Sequence, residues 1–173
     1  MAKERTDIQY RGYQIIANDT GAMVYSNGLK HSIDGLSMDD CLSNAKAFVD
    51  SRHKQRKISR REKHIGTVDD YSAALDLLNL GQHETRMLSA HRKASGRKMT
   101  ATELSNSAGW DGAGPANSHY GRLGKRVSEH LNLEINAKDD EAWTQALAEF
   151  DHETRQWEMH EELAFAIDRL NIS

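Results

Sequence analysis

Cysteine and long apolar runs are scarce in this sequence, and each scarcity excludes a class of protein. The single cysteine, Cys41, cannot form an intramolecular disulfide, which is typical of a protein from a reducing compartment. No apolar run approaches the ~20 residues of a membrane-spanning helix. Residues 1–10 lack the apolar core of a signal peptide. We therefore expect a soluble cytoplasmic protein that does not enter a membrane.

Motifs for catalysis and for metal binding are also missing. The 9 histidines include no pair spaced four residues apart on a predicted helix, and Cys41 has no second cysteine with which to bind zinc. No glycine-rich loop carries the lysine of a nucleotide-binding P-loop. Adjacent aspartates fall at predicted helix starts, where carboxylates interact favourably with the helix dipole. We expect a protein without enzymatic activity, cofactor or metal.

Charge is unevenly distributed along the chain, although the net charge is only −3. Residues 1–66 contain 12 Lys and Arg against 8 Asp and Glu, whereas residues 131–173 contain 3 against 11. The basic residues are densest in the run 52–63, and Gly66 follows three residues after it. Such a run neutralises phosphates without sequence preference when it contacts nucleic acid, and otherwise it is a solvated helix end or a linker.

Residues 1–64 predict a small β-β-β-α domain. Residues 7–17 alternate and are rich in Tyr and Ile, which predicts one continuous strand. Strands over 22–26 and 29–33 follow, joined by a hairpin turn at Asn27-Gly28. Ser37 is the expected cap of a long helix, with Asp40 at the capping-box position. The expected apolar stripe of that helix is Met38, Cys41, Leu42, Ala45, Phe48 and Val49.

The order of these elements and the segment Tyr10-Arg-Gly-Tyr13 resemble, in outline, the small DNA-binding domain of phage integrase arms and plant ethylene-response factors. The resemblance covers about fifty residues. It implies a three-stranded sheet whose exposed face lies in a DNA major groove.

Residues 99–131 have the pattern of a helix-turn-helix. Thr100 and Glu103 are spaced as in a capping box, and Gly109 suits the left-handed position that ends a helix. Pro115, the only proline, suits the first turn of a second helix. That helix has an apolar stripe and an outer, basic face with small residues, which we expect to enter a DNA major groove. The stripe is Ala116, Tyr120, Leu123, Val127 and Leu131.

Two glycines, Gly121 and Gly124, lie inside the predicted second helix. Each costs about 0.5–1 kcal/mol relative to alanine in a helix interior. Their presence predicts a close approach of another backbone, either protein or nucleic acid.

The remaining C-terminal residues predict a hairpin and a final helix. Residues 142–150 fit a helix by propensity and a strand by alternation, and residues 156–159 fit a strand. With Trp143 and Trp157 on paired strands, this hairpin would be the wing of a winged helix. Residues 67–173 then form, in order, two helices, the helix-turn-helix, the hairpin and a last helix.

The run from Thr100 through Ala108-Gly109-Trp110 to Gly124 is similar to a domain of bacterial mobile-element and restriction-related proteins. This resemblance covers roughly a hundred residues. It implies a role with DNA or in a defence system, and it supplies no catalytic residues.

The expected fold class is α+β: an N-terminal three-stranded antiparallel sheet with one helix (1–64), followed by a mainly helical winged helix-turn-helix domain (65–173). The leading hypothesis is a non-catalytic DNA-binding protein of a prokaryote or phage that binds duplex DNA through the helix at 115–131. The candidate DNA-binding residues are Asn117, Ser118, Arg122, Lys125, Arg126, Arg97, Lys98, Arg56, Lys57, Arg60 and Arg61.

The main alternative is a phage-encoded, anti-CRISPR-like inhibitor that binds a host defence nuclease. In that hypothesis an acidic surface occupies the DNA channel of the nuclease in place of phosphates. The candidate residues are Asp139, Asp140, Glu141, Glu149, Asp151 and Glu153. A third possibility is a substrate-binding accessory domain of a restriction enzyme, detached from its nuclease. The sequence does not predict the oligomeric state.

Overall fold

The computed structural model describes residues 5–26, 29–136 and 140–173. The chain divides into two units, Met1–Ser59 and Arg60–Ser173, each with its own hydrophobic core. The sequence placed the boundary between residues 64 and 65, whereas the contacts of the chain divide just before Arg60. Arg60 to His64 therefore belong to the second unit.

The first unit is a four-stranded antiparallel sheet packed on one long helix. The strands pair in the order β1-β2-β3-β4. Their bounds are β1 Arg5–Tyr10, β2 Tyr13–Asn18, β3 Gly21–Ser26 and β4 Leu29–Ile33, and helix α1 is Met38–Ser59. Ile15 and Val24 are fully buried against Cys41, Ala45 and Val49 of α1. The predicted stripe of α1 therefore faces the core, as alternation in the strands and the 3.6-residue period of the helix require.

The prediction of three strands is wrong, because residues 7–17 are not one strand. Arg11 and Gly12 have φ of 49° and 79°, and Tyr10 pairs with Tyr13 across them. A two-residue hairpin turn of this kind needs positive φ at both central residues, which glycine adopts freely and arginine rarely. The sheet is consequently four-stranded and differs from the three-stranded domain that the integrase resemblance implied.

Helix α1 begins where the sequence suggested. The Ser37 hydroxyl accepts a hydrogen bond from the Asp40 N–H at 3.2 Å, as expected of a cap. The helix continues to Ser59, so the first part of the basic run is helical and the part from Arg60 onward is not. The predicted turn at Asn27-Gly28 lies outside the described residues.

In its described residues, the second unit combines five α-helices with a three-stranded antiparallel sheet of order β5-β7-β6. Its helices are α2 Val68–Leu77, α3 Gln82–Lys93, α4 Ala101–Ser107, α5 Gly114–Leu131 and α6 Glu161–Arg169. Its strands are β5 Lys98–Thr100, β6 Ala148–Asp151 and β7 Gln156–Met159, and two 3₁₀ helices span Ser95–Arg97 and Asp140–Ala146.

The local helix signals of this unit are confirmed. Thr100 and Glu103 form a complete capping box at the start of α4. Gly109 has φ of 86°, and the Trp110 N–H donates to the Ser105 carbonyl at 3.0 Å, which completes the helix-ending motif expected of glycine at this position. Pro115 lies in the first turn of α5. The predicted stripe of α5 is buried in the core throughout.

The ambiguous segment 142–150 divides into two structures. Residues up to Ala146 form a 3₁₀ helix, and strand β6 begins at Ala148 and pairs with β7. A hairpin is present, but the placement of Trp143 on a strand is wrong, because Trp143 lies in the 3₁₀ helix. Trp157 does lie on β7, where it pairs with Phe150 on one side and Met99 on the other.

A buried ion pair joins the start of this unit to its core. The Arg60 Nε lies 2.9 Å from Asp70 Oδ2, and the two side chains are 4% and 2% exposed. The same guanidinium donates to the Leu131 carbonyl at 2.9 Å, and Asp70 also accepts from the Thr67 N–H. The Arg60 side chain thus connects the end of α5 with the start of α2.

We predict that Arg60→Ala lowers the free energy of unfolding of the second unit by about 3–5 kcal/mol, because it removes one partner of a buried charge pair. The neighbouring variant Arg61→Ala is the matched control. Arg61 is 60% exposed in its pair with Glu162, so its loss costs about 1 kcal/mol or less. The three tryptophans, Trp110, Trp143 and Trp157, all belong to the second unit, so denaturation followed by tryptophan fluorescence measures this unit alone. Equal effects of the two variants would contradict the prediction.

Candidate nucleic-acid interface

The solvent-facing side of α5 carries Ser118, Arg122 and Lys125, all exposed. The Arg122 Nε donates to the Ser118 carbonyl at 3.3 Å, and its guanidinium lies 3.2 Å from His119 Nε2. The Lys125 Nζ lies 5.7 Å from the centre of the Trp143 ring. These contacts hold two positive charges on one side of the helix without neutralising them. Asn117 is half-buried in the preceding turn.

The glycine side of α5 is covered, which corrects the expectation that Gly121 contributes to the outer face, whereas the small residue Ser118 does lie there. Gly121, Gly124 and Ser128 are buried, and the 3₁₀ helix at 140–146 packs on this side. A Cβ at Gly124 would overlap the Trp143 carbonyl group and lie 2.8 Å from its carbon. The close approach that the glycines predicted is therefore made by the backbone of this chain.

We predict that Gly124→Ala destabilises the second unit by about 1–3 kcal/mol or more, because the new methyl meets backbone rather than a flexible side chain. Gly114→Ala is the control, since a Cβ there meets nothing within 4 Å and φ is not positive. The control should leave stability unchanged or raise it by up to about 1 kcal/mol. Urea denaturation with tryptophan fluorescence compares the two, and a harmless Gly124→Ala would mean that the 3₁₀ helix does not pack on α5 as described.

The other basic candidates of the second unit are engaged by acidic groups or carbonyls. Arg126 forms an ion pair with Glu84 at 2.8 Å and donates to the Leu78 carbonyl, so it joins α5 to α2 and α3. Arg97 donates to the Met159 carbonyl at 3.1 Å, and Lys98 pairs with Glu158 at 3.2 Å. Arg60 is buried and Arg61 pairs with Glu162. These residues hold elements of the fold together.

Two candidates belong to the first unit. The Arg56 guanidinium lies 5.5 Å from the centre of the Tyr13 ring, an arrangement typical of a cation–π contact. Lys57 is exposed in the last turn of α1.

A groove of about 1090 Å³ lies beside the first turns of α5. It is bounded by the start of α4, by the 3₁₀ helix at 140–146 and by the hairpin β6–β7. Asn117, His152 and Arg155 contribute polar groups to it, and Phe150 and Trp157 contribute apolar surface. The sequence predicted the hairpin that carries His152, but not the groove, because the walls of the groove come from four separate elements.

The acidic residues proposed to bind a nuclease differ in their contacts. Asp151 accepts hydrogen bonds from the N–H groups of Thr154 and Glu153, which shapes the hairpin turn. The hydrogen bond from the Thr154 side chain, together with these N–H groups, lowers the pKa of the Asp151 carboxyl. Glu149 lies 2.7 Å from His64, and Glu153 is exposed at the turn. Asp140 and Glu141 belong to the 3₁₀ helix, and Asp139 lies outside the described residues.

A buried histidine fixes the position of α5 relative to the hairpin. The Nε2 of His91 donates to the Trp157 carbonyl at 2.8 Å, so Nδ1 accepts from the Tyr120 hydroxyl, also at 2.8 Å. His91 is fully buried, and this burial lowers its pKa to about 4. Burial also raises the pKa of Tyr120, so both groups are neutral at neutral pH.

We predict that the second unit loses stability as the pH falls from about 6.5 towards 4, because the unfolded chain then binds a proton that folded His91 does not. Between about pH 7.5 and about pH 5, His91 accounts for a loss of about 2 kcal/mol. His91→Gln should reduce this loss, whereas the exposed-site control His152→Gln should retain it. Urea denaturation at the two pH values is the measurement, and an unchanged pH dependence in His91→Gln would contradict the assignment.

No helix in the described ranges 5–26, 29–136 and 140–173 is long and apolar enough to cross a membrane. Comparison with known protein families, with curated proteins and with solved structures gave no match.

Proposed function

We propose that the second unit is a winged helix-turn-helix that binds duplex DNA, with α5 as the recognition helix and the hairpin β6–β7 as the wing. The protein would act as a non-catalytic DNA-binding protein in the cytoplasm of a prokaryotic cell, encoded by the cell or by a phage.

The order of elements supports the winged-helix assignment. Helix α3, strand β5, helices α4 and α5, and the hairpin follow one another along the chain, and β5 pairs with β7. In a winged helix the strand before the helix-turn-helix joins the hairpin after it in this way. The glycine turn at 109–114 and the buried stripe of α5 supply the tight corner and the packed face that a helix-turn-helix requires.

The observation that carries the proposal is the pair of exposed cations on α5. In the described part of the chain, neither Arg122 nor Lys125 forms an ion pair with an acidic residue, in contrast to Arg126, Arg97 and Lys98. They lie one turn apart, after Asn117 and Ser118, in the part of a recognition helix that contacts a major groove. Glu129 occupies the next exposed position, so the footprint is confined to the first turns of α5.

This small footprint predicts weak and strongly salt-dependent binding. Each phosphate neutralised contributes about −0.9 to the slope of log K against log salt for duplex DNA. Arg122 and Lys125 together therefore account for a slope of about −2. Arg155 and His152 on the hairpin are placed to add contacts as a wing does.

The test is the double variant Arg122→Glu/Lys125→Glu, assayed by fluorescence anisotropy with a duplex of about 25 bp at about 50 mM salt, where phosphate contacts are strongest. We expect salt-dependent binding by the wild type and its loss in the variant, with unchanged stability, since both side chains are exposed. The control Arg86→Glu/Lys93→Glu makes the same charge change at exposed positions of α3 and should keep binding. Absence of wild-type binding, or equal losses in both variants, would refute the proposal.

The nuclease-inhibitor hypothesis has less support. Two of its acidic candidates are engaged within the second unit, Asp151 by its own turn and Glu149 by His64. An inhibitor that mimics DNA needs such carboxylates free to meet Lys and Arg of its partner.

A further inference from the structure

Three side chains that are distant in sequence converge at the edge of the second sheet. His64 precedes α2, Glu149 lies on β6, and His160 immediately precedes α6. One nitrogen or oxygen from each lies within 4.8 Å of the other two. We propose that His64, Glu149 and His160 form a Zn²⁺-binding site, contrary to the expectation from sequence that the protein binds no metal.

The donor set is one that zinc prefers. Two imidazoles and one carboxylate supply three of four tetrahedral positions and leave the fourth for water. With metal–ligand distances of about 2.0–2.1 Å, tetrahedral ligand atoms lie about 3.4 Å apart. The observed spacing reaches this value through a rotation of the Glu149 side chain, which is 58% exposed.

His160 is held as a metal ligand needs to be. It is 3% exposed, and its Nε2 donates to the Gln145 carbonyl at 2.8 Å. This hydrogen bond places the proton on Nε2 and leaves the lone pair of the neutral ring on Nδ1. A backbone carbonyl that binds the second nitrogen in this way is the usual support of a zinc-bound histidine.

The surrounding charges are compatible with a cation. Arg61 and Lys63, which both precede His64 in the sequence, pair with Glu162 at 3.0 Å and with Glu134 at 3.2 Å. Glu161 and Glu162 occupy the first turn of α6 and offset the positive end of its dipole.

The competing explanation is an ordinary ion pair, because His64 Nε2 lies 2.7 Å from Glu149 Oε1. An ion pair accounts for these two residues and makes no use of His160, whose ring centre is 6.0 Å from that of His64. A zinc ion engages all three residues. Zinc would then connect the segment before α2 with β6 and the start of α6.

The experiment uses the full chain without a histidine tag, stripped with a chelator and dialysed. Isothermal titration with Zn²⁺ should give one site per chain, and Co²⁺ should give the visible absorption of tetrahedral coordination. Added Zn²⁺ should raise the unfolding temperature in a concentration-dependent manner, because only the folded chain presents all three ligands together.

Two variants with mild structural effects test the ligands, Glu149→Gln and His64→Gln. Each should weaken Zn²⁺ binding by tenfold or more and abolish the Co²⁺ spectrum. The matched control is His152→Gln/Glu153→Gln, which removes one imidazole and one carboxylate from the exposed hairpin turn and should bind like the wild type. Tryptophan fluorescence of each metal-free variant establishes that the second unit is folded.

Failure of the wild type to bind Zn²⁺, or equal binding by the wild type and both ligand variants, would overturn the proposal in favour of the ion pair. None of the three ligands lies on α5, so this outcome is independent of the duplex-binding test.

Discussion

The second unit depends on the hydrogen bonds of one buried imidazole. His91 accepts a hydrogen bond from the Tyr120 hydroxyl and donates one to the Trp157 carbonyl, so a single ring joins α3, α5 and β7. A buried polar group without its partners is costly, and this requirement fixes the rotation of α5 about its axis. With Tyr120 held inside, Arg122 and Lys125 necessarily point outward. The proposed recognition surface is thus a consequence of how the core satisfies His91.

The 3₁₀ helix at 140–146 sets the other limit on that surface. Its backbone packs against Gly124, and Tyr71 donates from α2 to the Ala146 carbonyl at 2.6 Å. Together these contacts close one side of α5 and leave the groove between its first turns and the hairpin. Any partner of α5 therefore meets a narrow strip that carries two cations rather than a whole helix face.

The residues at the end of the basic run, from Arg60 to His64, make contacts within the second unit of the fold. Arg60 is buried with Asp70, Arg61 and Lys63 pair with acidic residues, and His64 lies beside Glu149 and His160. In sequence this stretch is typical of phosphate binding, whereas in the fold it fastens the start of the second unit to the rest of it. The same chemistry that suits a phosphate also suits internal carboxylates.

Sequence by itself determined what depends on near neighbours: the Ser37 cap, the capping box at Thr100, the left-handed Gly109, and the buried stripes of α1 and α5. These follow from hydrogen bonds over three to five residues and from helical period. The prediction from sequence was wrong at Arg11, because this arginine has a positive φ, which arginine rarely adopts. Only the tertiary structure decided which basic side chains form ion pairs within the fold. Arg122 and Arg126 lie on the same helix, but only Arg126 lies close enough to Glu84 to pair with it. The tertiary structure alone brought His64, Glu149 and His160 together, because contacts between distant segments depend on the packing of every element between them.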